Sequence, residues 1–456
     1  MTISRTLLIG SLSVSIISVL LTAIIVSTAS FFIAQDEIEK QTQSKLIALR
    51  EEQKSYTNDL LLQIKNQITS YSGGLTIESA ANDFIKAFNY EKRRESSTEA
   101  EEALKDFYIN EFASKYRDRN PTQDISAERL FSSLSKQAKI FQHDFISTNP
   151  HPLGSKDALV KLPSNSIYSR VHEKYHEEIQ KYLQTFGYYD IFIIDAKTGH
   201  IVYSVFKELD FATSLITGPY KNSDLAKVFN DTKNSYNADD TSFSSFNAYT
   251  PSYEDPAAFI ASPIKDKNDE TIAVLAFQMP IDKINDVLTM HGRWKEQGLG
   301  DSGETYLVSE NYKAQSLSRS LIEDKEKYFQ SLQYNNVDKG IINTIQQKGT
   351  NIGYQEIRTE AVSEALKGNT GYKKITGYSG SEVLSAFGPL EFEGAKFAIV
   401  AEMDWDEAHN FESRMIKSAS INSIIVSLVI LSIVALIAWR FSNLLSSRLN
   451  SAVNVA

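Results

Sequence analysis

Two long runs without a charged side chain, Leu7 to Ala34 and Ile421 to Ala438, constrain this chain more than any other feature. A bilayer core about 30 Å thick takes about 20 mainly apolar residues in helical form, and both runs qualify. The first, LLIGSLSVSIISVLLTAIIVSTASFFIA, exceeds the apolar core of roughly 7–15 residues found in a cleaved leader, so it reads as an uncleaved signal anchor. Cleavage near Thr28-Ala29-Ser30 is the alternative reading. The second, INSIIVSLVILSIVALIA, is followed by Trp439-Arg440-Phe441, aromatics and a cation suited to a membrane interface. Two spans put both termini on one side.

Orientation follows from the short flanks, because Lys and Arg are retained on the cytoplasmic side. Arg5 precedes the first span, and Arg440 and Arg448 follow the second. Arg414 and Lys417 lie just outside the second span, so the N-terminal flank carries most of the orientation. The termini are predicted inside, leaving about 385 residues outside, two or three domains by the usual size relation. With 23% charged and 11% aromatic residues this region can bury a core. A formal charge of −10 argues against a nucleic-acid partner, which would favour a basic patch. The chain has no cysteine, hence no disulfide, free thiol or thiolate metal site, and an oxidising compartment is permitted.

Between the spans the hydrophobic period changes along the chain. From Asp36 to Tyr71, Leu46, Leu49, Tyr56, Leu60, Ile64, Ile68 and Tyr71 mark one face of a long helix leaving the membrane, broken at Gly73-Gly74. A second helical stretch is predicted from Ser79 to about Phe145. Its segment KRRESSTEAEEALKD is a solvated face rather than a basic patch, since acids interleave with the bases. Asn149-Pro150-His151-Pro152-Leu153-Gly154 is a turn, and a helix from Ile167 to Phe186 follows. At Gly187 the pattern becomes strand-like. YYDIFIIDAKTGHIVYSVF reads as a hairpin turning at Ala196-Lys197-Thr198-Gly199, followed by a helix near Ser223 to Phe229 and strands at Phe259 to Ser262 and Thr271 to Gln278. After a helix from Ile281 to about Gly298 the same grammar recurs. Strands are predicted at Glu304 to Val308, Ala314 to Leu317, Gly371 to Thr376, Val383 to Phe387 and Lys396 to Ala401, a duplication of architecture without a residue-level repeat.

This layout resembles the double Cache, or tandem PAS-like, sensor domain of bacterial transmembrane receptors. The stretches GYYDIFIIDAKTGHIVYSVFKELDFATSLITGPY, GLGDSGETYLVSE, EALKGNTGY and KFAIVAEMDWDEAH are similar to those of methyl-accepting chemotaxis proteins and of receptors ending in kinase, cyclase or phosphatase domains, over most of Ile167 to Phe411. Arg440 to Ala456 resembles the opening helix of a HAMP module, with Leu444, Leu445, Leu449 and Val453 at helical spacing, though its usual proline is missing and Ser446-Ser447-Arg448 stands in that region. The resemblance implies an α+β fold: long membrane-emerging helices, two PAS-like modules with antiparallel sheets, and two transmembrane helices. The segments are 1–6 cytoplasmic, 7–34 first span, 35–186 helical stalk, 187–290 membrane-distal module, 291–411 membrane-proximal module, 412–420 linker helix, 421–438 second span and 439–456 HAMP, in which the receptor is truncated. It further implies a homodimer in the bacterial inner membrane with a periplasmic sensor domain. Such a receptor senses a small molecule or a periplasmic binding protein and signals to cytoplasmic proteins, in chemotaxis or alternatively through a histidine kinase or nucleotide cyclase. No cofactor and no enzymatic activity are expected.

One literal enzyme motif is present: His172-Glu173-Lys174-Tyr175-His176 has two imidazoles one helical turn apart and a glutamate placed as a general base, the zincin pattern. The continuation with a third histidine is missing, although Glu208 is available. A zinc ectopeptidase using His172 and His176 is therefore the alternative from another class, against packing of this helix on a sheet.

Ligand binding calls for a concave, partly aromatic pocket with a few placed polar groups. In relatives that bind amino acids, the resemblance implies, an aspartate before a late strand holds the ligand ammonium. Asp255 stands in the matching place, with Tyr253 beside it. The arginine and tryptophan-tyrosine pair that would bind the ligand carboxylate are absent, and Lys207-Glu208-Leu209-Asp210-Phe211 occupies that stretch. Lys207 and Asp210 are candidates there, although a lone lysine is more often a solvated surface residue than a ligand partner. Strand alternation sends Tyr188 and Asp190 to one face and Tyr189 to the other. Tyr203 faces inward as pocket wall or plain core, and His151 covers a pocket mouth or sits in a solvated loop. Gly300-Asp301-Ser302-Gly303-Glu304 lacks the spacing and lysine of a phosphate loop and reads as a turn.

Overall fold

The computed structural model describes residues 3–91 and 93–453. Met1, Thr2, Lys92 and residues 454–456 lie outside the described residues, and with them parts of the expected N-terminal, KRRESSTEAEEALKD and HAMP segments. The chain divides into two compact units, residues 1–46 with 403–456, and residues 47–402.

The first unit consists of the outer parts of two long helices, α1 (Ile3–Ser72) and the C-terminal helix Trp405–Val453. Within them Ser13–Ser30 and Ile421–Phe441 are long and apolar enough to cross a membrane, and neither is buried in protein. Ile17, Ile24, Ile425 and Ile437 stand exposed. So large an apolar surface calls for a partner or a lipid solvent. Ser18, Thr22, Ser423 and Ser427 line the space between the two helices, and Thr22 and Ser427 each donate a hydroxyl to the carbonyl four residues back, as a lipid setting demands.

In the second unit α1 presents Leu49, Leu61, Ile64 and Ile68 to the core, but Tyr56 is exposed and Arg50, Gln53 and Thr57 are buried. The predicted stripe is thus partly polar: Arg50 donates to the Phe387 carbonyl at 2.9 Å. Helix α2 (Leu75–Glu91) follows the glycine break. The single helix expected from Ser79 to Phe145 is instead a series, α3 (Thr98–Asp106), α4 (Ala113–Arg119), α5 (Ala127–Ser132) and α6 (Lys136–Gln142), with π-helical turns at Phe107–Phe112 and His143–Ser147. Ser97, Ser126 and Ser135 restart it, each accepting the backbone N–H three residues on. Helix α7 (Ile167–Phe186) has the same cap at Ser166 and stops at Gly187, whose φ of +76° is open to glycine at little cost.

The first sheet is antiparallel. Strands β1 (Asp190–Asp195), β2 (Ile201–Ser204), β3 (Ser242–Phe243), β6 (Phe259–Lys265) and β7 (Thr271–Gln278) lie in the order β2-β1-β7-β6-β3, with Asp190 and Phe259 both opposite Gln278. The segment between β3 and β6 holds a separate ribbon of β4 (Asn247–Tyr249) and β5 (Asp255–Ala257). Helices α2, α7 and α8 (Asp224–Thr232) pack on the sheet, and every residue of β1 and β2 is buried, so their sequences read as continuous apolar runs.

After α9 (Ile281–Leu288), β8 (Glu304–Ser309) opens a second sheet. Helices α10 (Arg319–Glu323), α11 (Lys325–Tyr334), α12 (Lys339–Lys348) and α13 (Glu360–Leu366) intervene before β9 (Gly371–Thr376), β10 (Glu382–Phe392) and β11 (Ala395–Asp404), and the order is β8-β11-β10-β9. Counting β3, β6 and β7 as third, fourth and fifth, the first sheet runs 2-1-5-4-3 and the second 1-5-4-3, the same connectivity twice. Strand 2 of the second sheet, expected at Ala314 to Leu317, is reduced to one bridge, Val308 to Ala314. Its backbone is shared between two partners: Gln315 N–H donates to the Leu307 carbonyl of β8 at 2.8 Å, and Ala314 N–H to the Gln355 carbonyl at 3.0 Å. Helix α9 ends ten residues short of the expected boundary because Met290 and His291 take φ of +52° and +53°. Helix α14 (Trp405–Val453) completes the chain.

Candidate functional site

The turn after β2 brings acids into the protein interior. Lys207 and Ala212, with φ of +54° and +65°, bound the reversal. Gln142 at the end of α6 holds it from outside, donating to the carbonyls of Leu209 and Phe211 at 2.8 Å each and accepting from the Tyr108 hydroxyl at 2.6 Å. Asp210, between those two carbonyls, is 0% exposed. Its Oδ2 accepts from the Tyr249 hydroxyl at 2.5 Å, whereas Oδ1 has no hydrogen-bond partner of ordinary geometry, and only the amides of Asp210 and Phe211 lean on the carboxylate. Burial lifts this carboxyl to about 6.

Glu208 accepts from Ser252 at 2.7 Å. Burial raises its pKa far above the usual carboxylate range, and the Asp210 charge beside it adds to the rise. Glu208 as a whole residue is half-buried. Tyr220 and Tyr249 are buried beside both acids, and their phenols are pushed up first by burial and then by those charges. Tyr253, at φ +58°, packs its ring on Phe112 at 5.4 Å and carries Lys115 and Arg119 over it at 5.0 and 5.5 Å.

Other predicted residues fall elsewhere. Asp255 is an ion-pair centre, held by Arg119 at 2.5 Å and Lys348 at 3.0 Å, so a ligand ammonium at the place the resemblance implied would compete with both cations. Tyr189 is 48% exposed on the outer side near Asp255 and Arg119, while Tyr188 and Asp190 point inward. Asp190 is enclosed by its own turn: it accepts from Ser204 at 2.9 Å and from the amides of Ile191 and Val205 at 2.7 and 2.8 Å, and burial together with Asp210 lifts it to about 7. Lys207 is 1% exposed, which removes the surface reading. Its ammonium donates to the Ser204 and Val205 carbonyls at 3.1 and 3.0 Å, and burial lowers it to about 7. His151 sits in the proline turn, its amide on Asn149 Oδ1 at 3.0 Å, half-buried.

Tyr203 lies in the core and bonds His176. His176 Nε2 lies 2.6 Å from the Asp157 carbonyl and so carries the proton, leaving Nδ1 to accept from the Tyr203 hydroxyl at 2.8 Å. His172 Nδ1 donates to the Val160 carbonyl at 2.7 Å, and its Nε2 is buried without a partner. The rings stack at 4.2 Å, and burial pulls His176 down to about 3 and His172 well below its usual range. Glu173 faces out and pairs with Lys161 at 2.9 Å. Zinc would need one of the two His176 bonds broken, and among the described residues no three His, Cys, Asp or Glu gather as a metal site. This geometry does not fit the zincin alternative.

The structure therefore joins Asp210 and Glu208 with Tyr249, Ser252 and Tyr220, and places Asp255, Tyr189 and Tyr253 to one side. The pairing of Glu208 with Asp210 and the roles of Tyr249, Ser252 and Gln142 were not foreseen. The available signal was the pair Glu208-x-Asp210 standing where a basic and aromatic pattern was expected.

No family model and no curated protein matches this chain. Solved structures it resembles include the ligand-binding domain of the Pseudomonas fluorescens chemoreceptor CtaA in complex with L-leucine, at 16% identity over 68% of this chain and 97% of that one, TM-score 0.29. Others are the periplasmic sensory domain of the Campylobacter jejuni chemoreceptor Tlp1, at 11% over 82% and 98%, TM-score 0.34, and the Pseudomonas aeruginosa PAO1 amino acid chemoreceptor PctB in complex with L-Arg, at 14% over 55% and 83%, TM-score 0.32. TM-scores this low do not transfer a ligand or an activity.

Proposed function

We propose that this chain is a membrane-anchored receptor whose body, residues 47–402, lies outside the cytoplasm and binds a small molecule at the turn after β2 that holds Glu208 and Asp210. The observation that carries it is the pair of acids in the turn after β2: Asp210, 0% exposed and with Oδ1 outside any hydrogen bond of ordinary geometry, and Glu208, half-buried two residues before it. Buried polar groups are normally satisfied, so an exception of this kind calls for an explanation such as a functional role. The two runs long and apolar enough to span a membrane support the anchoring, and the twice-used sheet connectivity supports the double Cache reading. On this reading the receptor is a homodimer of the bacterial inner membrane, HAMP begins after Trp439, and the output is of the chemotaxis type. Signalling requires only that the ligand prefer one of two arrangements of the body, a difference of about 1–3 kcal/mol in typical cases.

Thermal unfolding of the full chain in detergent, against a panel of neutral, cationic, anionic and zwitterionic metabolites, tests the site. A ligand at a hundredfold excess over its Kd stabilises by about 2.7 kcal/mol. At least one compound is expected to raise the Tm of the wild type and to lose that effect in Asp210→Asn. Failure of the whole panel, or shifts equal in both proteins, would overturn this site.

A further inference from the structure

Helix α1 runs beside the stretch that links the first sheet to the second, and a cleft of about 450 Å³ lies between them. One wall is α1, with Gln53 and Asp59; the other is α9 and the turn after it, with Met290 and Arg293. Gln53 is 4% exposed, and neither end of its amide is bonded to a described residue. Its Oε1 is fully enclosed, whereas Nε2 is not, and the side chain lines the cleft, so that end of the amide opens into it. An amide can turn end for end without changing its shape, so Gln53 offers the cleft either an N–H or a carbonyl oxygen. Buried amides normally have partners, and this one stands beside a space within the roughly 300–1,000 Å³ of small-molecule sites. The two walls differ in charge. Asp59 and Arg293 are exposed, and neither holds an ion pair or a hydrogen bond among the described residues. Glu52, also on the α1 wall, accepts from the Tyr56 hydroxyl at 3.1 Å. A simple anion would meet Asp59 and a simple cation would meet Arg293, whereas a molecule carrying both charges complements both walls.

We propose that this cleft is a second binding site, separate from the turn after β2, and that it takes a zwitterion of short-peptide size: its ammonium towards Asp59, its carboxylate towards Arg293 and a peptide unit against Gln53. A free amino acid carries both charges but no amide between them. A peptide unit has an N–H and a carbonyl oxygen, and so meets Gln53 whichever way its amide is turned. The occupant joins α1, the helix that contains the first apolar run, to the junction between the two sheets. At that junction Met290 and His291 take φ of +52° and +53°, a conformation that persists only where the surroundings hold it.

The probes are the dipeptides L-alanyl-L-alanine and L-alanyl-L-leucine, their N-acetyl and C-terminal amide derivatives, which lack the ammonium and the carboxylate in turn, and L-alanine, titrated calorimetrically into the full chain in detergent. The variants are Gln53→Leu, Asp59→Asn, Arg293→Gln and, as a charge control, Asp239→Asn at an exposed loop position. At least one free dipeptide is expected to bind, with its blocked derivatives and L-alanine about threefold to tenfold weaker or silent. The same loss is expected in each of the three cleft variants and none in Asp239→Asn. Circular dichroism of each variant separates misfolding from lost affinity, and the exposed positions Asp59 and Arg293 keep the test open if Gln53→Leu does not fold. Dipeptide binding that survives all three cleft substitutions, or that is lost only in Asp210→Asn, would overturn the cleft as the site. Binding indifferent to both blocked ends would overturn the zwitterion, and no binding by any probe would overturn the proposal while leaving the turn after β2 to its own test.

Discussion

Lys207 carries an ammonium into the interior beside His172 and His176, with Asp190 and Asp157 as its opposing charges. Its folded pKa of about 7 lies below the unfolded value of about 10.4. Between those values the unfolded chain binds more protons, so the Lys207 contribution raises stability as pH climbs from 7 towards 10, by at most about 1.4 kcal/mol per unit. Asp190 and Asp210, lifted to about 7 and about 6, have the opposite sign and lose their slope above pH 7, and the two histidines stop contributing above about 6.5. Glu208 opposes Lys207 wherever it titrates, so the clean reading is a difference. The Tm of Lys207→Met relative to wild type should fall steadily from pH 7.5 to 9.5, and a constant difference would contradict the assigned burial. The zincin residues give a second check. Because both His176 nitrogens are bonded to protein, added zinc or a chelator should leave the Tm unchanged, and a zinc-dependent rise would revive the metalloenzyme reading. At this scale the sequence pointed to residues 207–211 but not to how each of their side chains is partnered. Whether Lys207, Asp210 or Asp255 is free depends on partners far along the chain, Gln142, Arg119 and Lys348.

Residues 244–257 form a strap whose two sides face different parts of the body. One side gives the Tyr249 and Ser252 hydroxyls to Asp210 and Glu208. On the other, the Phe246 N–H donates to Gln315 Oε1 at 2.7 Å, the Tyr354 hydroxyl bonds the Glu254 carbonyl, and Lys348 reaches Asp255. An occupant that draws on Tyr249 therefore acts on a segment bonded to the second sheet's surroundings. Asp255→Ala would leave Lys348, whose side chain is 4% exposed, without its ion partner at a cost of about 1–3 kcal/mol. Denaturation should show that loss while ligand affinity falls less than in Asp210→Asn; the reverse ranking would restore Asp255 as the ligand acid. Elements such as α7 and β7 were legible because their period extends over a full face or a full apolar run. The strap was not. Its strands are three residues long, and Tyr253 and Glu254 take φ of +58° and +62°, a conformation stabilised by tertiary bonds that local preference does not report.

For the molecule as a whole, the α+β class and the repeated sheet were legible from the order of periods, while the division of the chain at residues 46–47 and 402–403 was not. Hydropathy marks where a chain can enter lipid, whereas a compact unit is decided by long-range packing. A receptor of the proposed kind requires the body to stand on the side of the membrane opposite both termini. The chain contains no cysteine, so any introduced thiol is the sole site of labelling. Asp239→Cys, on an exposed loop of the body, and Ser447→Cys, after the second apolar run, can each be treated in intact cells with a membrane-impermeant maleimide. The account predicts that Asp239→Cys labels at once and Ser447→Cys labels only after permeabilisation; labelling of Ser447→Cys alone in intact cells, or of both, would contradict it.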